Sequence, residues 1–167
     1  MTGTFARMSR HLCTGTGAVH RSFDADAMTR IRNAIVAAEL GHAGEIRFAV
    51  EAALALRALW HRKNARSRAL EVFANLRVWD THANTGVLLY LLWADRAIEI
   101  VVDRGIVALL PASAWESICT DVRDGLRTTH PANAVCVGVS RIGELLRTAL
   151  PAQEHTPDEL PDEPVLL

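Results

Sequence analysis

The chain has 167 residues, the size of one ordinary domain with room for a real core. Half of the residues are apolar and 22% are charged, which argues against overall disorder, and a formal charge of −1 supplies no overall field to steer a nucleic acid or an anionic membrane. Three scattered cysteines, Cys13, Cys119 and Cys136, form no CxxC pair and indicate neither a zinc site nor a disulfide framework. Residues 1–22 are rich in Thr, Gly and Arg and are expected to form a flexible arm. They lack the apolar run of a signal peptide. Thr14-Gly15-Thr16-Gly17 has no Lys-Ser/Thr after it, so it is not a phosphate loop.

A domain over residues 23–150 follows. Asp24 is a helix N-cap, Met28, Ile31, Ile35 and Ala38 recur at helical spacing, and Gly41 marks the stop. From Glu45 to Glu51 the pattern alternates, with Ile46, Phe48 and Val50 on one side and Glu45, Arg47 and Glu51 on the other, which predicts a half-exposed strand. Residues 53–62 predict a short helix, and Asn64 caps another with Ala69, Val72, Phe73 and Leu76 inward. A polar loop then leads from Arg77 to the continuous apolar run Val87–Trp93, the mark of a strand covered on both faces. Asp95-Arg96 turns the chain into a third strand around Ile98–Val102. Ser113 and Glu116 predict a capping box opening a helix, and Pro131 opens the last one. Residues 151–167, Pro-rich and acidic, predict an extended arm or docking peptide.

With Asp95-Arg96 as a two-residue turn, Ala94 faces Ala97 and Gly86 lies opposite Gly105. The first two strands, joined through helix, should run parallel with a right-handed crossover. His42, Glu45, Asp80, His82, Asn84, Asp103 and Arg104 then gather at one end of the sheet. Oxygen donors such as Glu45, Asp80 and Asp103 suit Ca²⁺ or Mg²⁺, while His42, Asn84 and Arg104 suit an anionic ligand such as a phosphoryl group. Each has a plainer reading as well. Asp80 and Asn84 serve as turn formers, Asp103 and Arg104 as an ion pair, His42 as a helix-end residue, Glu45 as a solvent-facing strand residue, and Trp79 as core filling beneath the loop.

His42-x-Gly44-Glu45-Ile46, Arg77-Val78-Trp79-Asp80-Thr81, Asn84-x-Gly86-Val87-Leu88-Leu89-Tyr90-Leu91, Ala94-Asp95-Arg96 and Glu99–Ile106 occur in order, and the ordered set resembles the TPM domain. The tail Asp158–Asp162 with Pro164–Leu167 is similar to that of the bacterial cytosolic branch. The resemblance implies a three-layer α/β/α sandwich around a short mixed sheet, divalent-metal binding, and in a few relatives weak acid phosphatase activity. It also implies a LemA-type membrane protein as partner. Thr85 departs from the family pattern, standing where a second Asn usually precedes the glycine. No GxSxG elbow, HExxH, Walker lysine or DxDxT strand end is present, so no activated nucleophile is legible. The sequence therefore favours a cytoplasmic, non-catalytic accessory domain with no nucleic-acid partner and no membrane insertion. A metal-dependent phosphatase is the alternative.

Overall fold

The computed structural model describes residues 2–152 and 159–167, with side chains from residue 6 onward. In chain order it holds α1 (Thr2–Cys13), α2 (Thr16–Ser22), α3 (Ala25–Glu39), β1 (Glu45–Glu51), α4 (Leu56–Trp60), α5 (Ala65–Asn75) and β2 (Gly86–Leu92). A 3₁₀ turn (Trp93–Asp95), β3 (Ala97–Val102), α6 (Arg104–Val107), α7 (Ala112–Thr128), α8 (Pro131–Ala149) and β4 (Val165–Leu166) follow. Helix starts obey local chemistry. Asp24 accepts the Ala27 N–H, and Asn64 and Ser67 cap each other's backbone. His130 accepts the Ala132 N–H ahead of Pro131. The Ser113–Glu116 box does not form, because Pro111 already turns the chain into the helix and α7 begins one residue earlier, without a side-chain cap.

The sheet order is β3-β2-β1-β4, with β1 parallel to β2 and β4, and β3 antiparallel to β2. Helices α4 and α5 make the crossover between the parallel pair. On one face Ile46, Phe48, Val50, Val87, Leu89 and Leu91 pack with α3, α7 and α8. On the other, Ala49, Leu88, Tyr90 and Leu92 pack with α4 and α5, with Val78 of the polar loop and Leu160 of the tail. That is the three-layer α/β/α sandwich.

Four expectations need correction. Strand β1 is not half-exposed: all seven residues are buried, because the loop, α5 and the tail cover its second face. Glu51 is consequently a buried acid and is satisfied as one, its Oε2 accepting from Tyr90 Oη at 2.5 Å and Arg68 Nε at 2.8 Å. Burial first, and then this carboxylate, push the Tyr90 phenol well above its ordinary value. The β2–β3 hairpin is shifted by two residues, with Leu92 facing Ala97 and Val87 facing Val102. Trp93–Asp95 coil into the 3₁₀ turn and Arg96 closes it at φ 51, so the connection is longer than two residues.

The expected N-terminal arm is instead two helices, α1 and α2, joined at Thr14 and Gly15. Asp95 anchors it, lying 2.8 Å from Arg7 Nη2, 3.1 Å from His11 Nε2 and 3.4 Å from Arg10 Nη2. Burial raises the Asp95 carboxyl, but the bonds from Arg7 and His11 outweigh it and hold the group below the usual range. Asp95→Asn is expected to cost about 2 kcal/mol. Amide exchange should quicken in α1 while α8 stays protected; uniform quickening would mean that Asp95 does not serve α1 specifically. Fourth, the described part of the tail is no free docking peptide. Residues 165–166 form β4 against Ala49 and Val50, and the Leu167 N–H donates to Val50 O at 2.9 Å. The central part of the tail, 153–158, lies outside the described residues.

Candidate functional site

Parallel pairing sets Glu45 beside Gly86, and the Asp103 N–H donates to Gly86 O at 2.9 Å. The start of β1, the start of β2 and the end of β3 therefore share one rim, as the crossover argument requires. The loop ahead of β2 is drawn tightly against that rim. Val78 is fully buried, and a Cβ on Gly86 would sit 1.8 Å from Val78 O. Thr85 donates its hydroxyl to Ala43 O at 2.7 Å, accepts the Glu45 N–H on its carbonyl, and donates its own N–H to Thr81 Oγ1 at 2.9 Å. The hydroxyl that departs from the family pattern thus stitches the β2 loop to the β1 entry.

The expected site residues fall into two groups and one outlier. On the β2–β3 side, Asn84 takes up φ 56 and accepts from Arg104 Nε at 2.9 Å. Asp103 Oδ1 accepts the Arg104 N–H at 2.7 Å as the cap of α6. Arg104 is therefore tied to Asn84 and not ion-paired to Asp103. On the β1 side, His42 is buried, with Nδ1 accepting the Gly44 N–H at 3.1 Å, and Glu45 Oε2 accepts the Leu160 N–H at 3.2 Å. Burial, more than the nearby Arg147, lowers the His42 basicity and favours the neutral ring.

Asp80 stands apart and exposed, its N–H donating to Arg77 O. His82 is exposed too, and its N–H donates to the Glu159 carboxylate at 3.0 and 3.1 Å. Trp79 is 49% exposed and does not fill the core; Val78 does. Among the described residues no three His, Cys, Asp or Glu side chains converge as a metal-holding group. Glu45 is engaged by the tail, Asp103 turns to cap a helix, and Asp80 faces solvent. The trio expected to hold Ca²⁺ or Mg²⁺ does not fit that role in this arrangement.

Two features escaped the sequence reading. One is the cluster of Glu39, Glu45, Arg47 and Asp162 between α3, β1 and the tail, with Glu45 and Arg47 buried and Glu39 and Asp162 half-buried, for which the three carboxylates and the arginine gave no spacing signal. The other is a cleft of about 610 Å³ along the outer edge of β3, lined by Ile98, Glu99, Trp115, Cys119, Arg66 and Arg123 among others. Glu99, a lone acid in an apolar strand, was its one visible trace. Burial raises the Glu99 carboxyl despite Arg66 and Arg123, and pushes the Cys119 thiol up to about 11, so this cleft holds no thiolate nucleophile. Arg66 also donates to Ile100 O at 2.5 Å, which blocks the strand edge against pairing with another chain.

Fold and rim define a three-layer α/β domain whose sheet ends in a tightly bonded polar edge. The chain belongs to the TPM domain family, whose profile matches residues 21–145. Among solved structures, the BA42 protein of the psychrophilic bacterium Bizionia argentinensis, determined by NMR, is similar with a TM-score of 0.75 and 25% identity, over 85% of this chain and 93% of that one. No curated protein matches the chain.

Proposed function

We propose that this TPM-domain protein is a non-catalytic accessory domain in the maintenance of membrane or envelope proteins, acting from the cytosol on a LemA-type partner. The observation that carries the reading is the consumption of the rim by its own scaffold. Glu45 holds the tail, Asp103 caps α6, Arg104 holds Asn84, and Thr85 ties two loops together. Polar groups committed in this way anchor a fold and have little left with which to bind a reacting phosphoryl group. Among the described residues no helix is long and apolar enough to cross a membrane, so the membrane protein would be met as a partner.

A second reading, weak divalent-metal-dependent phosphomonoester hydrolysis, has one specific support. Asp103 Oδ2 is buried on this rim with no hydrogen-bond partner among the described residues. Thermal unfolding with Ca²⁺ or Mg²⁺, together with p-nitrophenyl phosphate turnover, separates the two. The accessory reading expects no metal-dependent stabilisation and turnover equal in the native protein and Asp103→Ala. A resident metal at a hundredfold excess over its Kd would add about 2.7 kcal/mol. That gain, with turnover lost in Asp103→Ala, would replace the accessory reading with the enzymatic one.

A further inference from the structure

The net charge of −1 hides an uneven distribution. Residues 2–23 hold three, and residues 52–70 five, of the 18 Arg and Lys, and these two segments hold none of the 19 Asp and Glu. The fold lays the segments side by side. His11 Nδ1 accepts the Leu54 N–H at 2.9 Å and Arg7 Nη1 donates to Lys63 O at 3.0 Å, so α1 runs along the stretch that contains α4. Five of the eight cations pair inside the domain: Arg7 and Arg10 on Asp95, Lys63 on Glu71, Arg66 on Glu99 and Arg68 on Glu51. Arg57 and Arg62 are exposed and make no ion pair among the described residues, while Arg10 keeps 60% of its side chain exposed.

The same face carries the most exposed aromatic side chain of the described residues. Trp60 is 77% exposed, Leu12 64% and Leu56 45%. Leu56 and Trp60 stand one turn apart on α4, while Leu59, next to Trp60 in the chain, is buried with residues of α5 and β2 and holds the helix against the domain. A protruding indole and two leucines on a face that also carries the unpaired Arg57 and Arg62 and the largely exposed Arg10 are costly to expose unless something covers them.

We propose that the α1/α4 face docks peripherally on an anionic phospholipid surface, with Trp60, Leu12 and Leu56 at headgroup depth and Arg10, Arg57 and Arg62 on the lipid phosphates. Indole is suited to that depth, since its ring is apolar and its N–H can still be solvated. Guanidinium groups grip phosphate through a planar fork, and each basic residue adds to attraction by an anionic leaflet. A nucleic acid would satisfy the cations but give Leu12 and Leu56 nothing to contact. The acidic remainder of the chain would be repelled from the leaflet, which orients the domain with the rim and tail away from the lipid. The inference is independent of the accessory reading, because a phosphatase could dock in the same way.

Flotation of the full chain with vesicles tests it. Binding is expected to vesicles containing phosphatidylglycerol, to be absent with phosphatidylcholine alone, and to be lost as sodium chloride is raised. The double variant Arg57→Ala/Arg62→Ala should bind about 30-fold more weakly, at roughly fivefold per cation. Trp60→Ser should weaken binding as well, and Arg127→Ala, on α7, should bind like the native chain. Circular dichroism confirms that each variant is folded. Failure to float with anionic vesicles overturns the proposal, as does equal weakening by Arg127→Ala. Salt-sensitive binding to an RNA or DNA duplex by a chain that ignores the vesicles overturns it in favour of a nucleic-acid face.

Discussion

Gly86→Ala is expected to destabilise the protein by about 3 kcal/mol or more, enough to leave little folded material at ordinary temperature. The added Cβ would meet Val78 O at 1.8 Å and Val78 Cγ1 at 2.9 Å. The near obstacle is backbone, and Val78 is itself fully buried against the sheet, so the loop cannot swing aside without unpacking its anchor. Moving the loop would also strain the bonds from Thr85 to Ala43 O and Thr81 Oγ1. At Gly105 the clash is smaller, 2.6 Å to the carbonyl oxygens of Ala83 and Asn84, and Gly105→Ala should cost about 2 kcal/mol. Gly15→Ala is the control. Nothing lies within 4 Å of its Cβ, so a change beyond about 0.5 kcal/mol is not expected. Urea denaturation of the three variants gives the ranking. A Gly86 variant as stable as the Gly15 variant would mean that the Val78 carbonyl does not lie against Gly86.

Those two glycines show why the fold was largely legible in the sequence. Period-two and period-3.6 patterns report burial directly, and Gly86 and Gly105 sit at the ends of apolar runs where only close backbone approach explains them. Strand direction followed from the length of the crossover. What was not legible depended on contacts between distant segments. Glu45, Arg47 and Glu51 alternate with apolar residues and read as a solvated face, yet the tail, the loop and α5 cover them, and Glu51 and Glu45 are met by residues 17 and 115 positions away. The register slip came from three residues that coil where a tight turn was expected. The site expectation found the right rim but assumed that nearness along it means convergence. Side-chain direction decides that, and Asp80, Asp103 and Glu45 point to three different tasks.

The stability that Glu39 supplies is expected to fall as pH rises from about 4.5 toward 9, against the smaller opposite contribution of the buried neutral His42. Its carboxyl is pushed from the ordinary value of 4.5 up to about 9, chiefly by burial, with the Asp162 carboxylate and the charges of Glu45 and Asp162 adding to the rise. Its Oε1 accepts the Ile46 N–H at 2.6 Å, which opposes the shift, and Arg47 stands among the same groups. Asp162 Oδ1 is buried without a hydrogen-bond partner among the described residues, and the Asp162 carboxylate beside Glu39 favours the protonated Glu39 carboxyl. A carboxyl that holds its proton more tightly folded than unfolded stabilises the fold fully below 4.5, and the contribution drains away as pH climbs to the folded value.

The loss should be on the order of 3 kcal/mol across that window and should begin at the tail. Exchange of the Leu160 and Leu167 amides, bonded to Glu45 Oε2 and Val50 O, should quicken with pH beyond the intrinsic base-catalysed rise, ahead of amides in α8. Glu39→Gln keeps an oxygen for Ile46 and gives Asp162 an N–H that does not titrate. It should flatten the pH profile and make the variant more stable than the native chain near pH 9. A Glu39→Gln profile that still tracks the native one would show that the Glu39 proton does not hold the tail on the sheet.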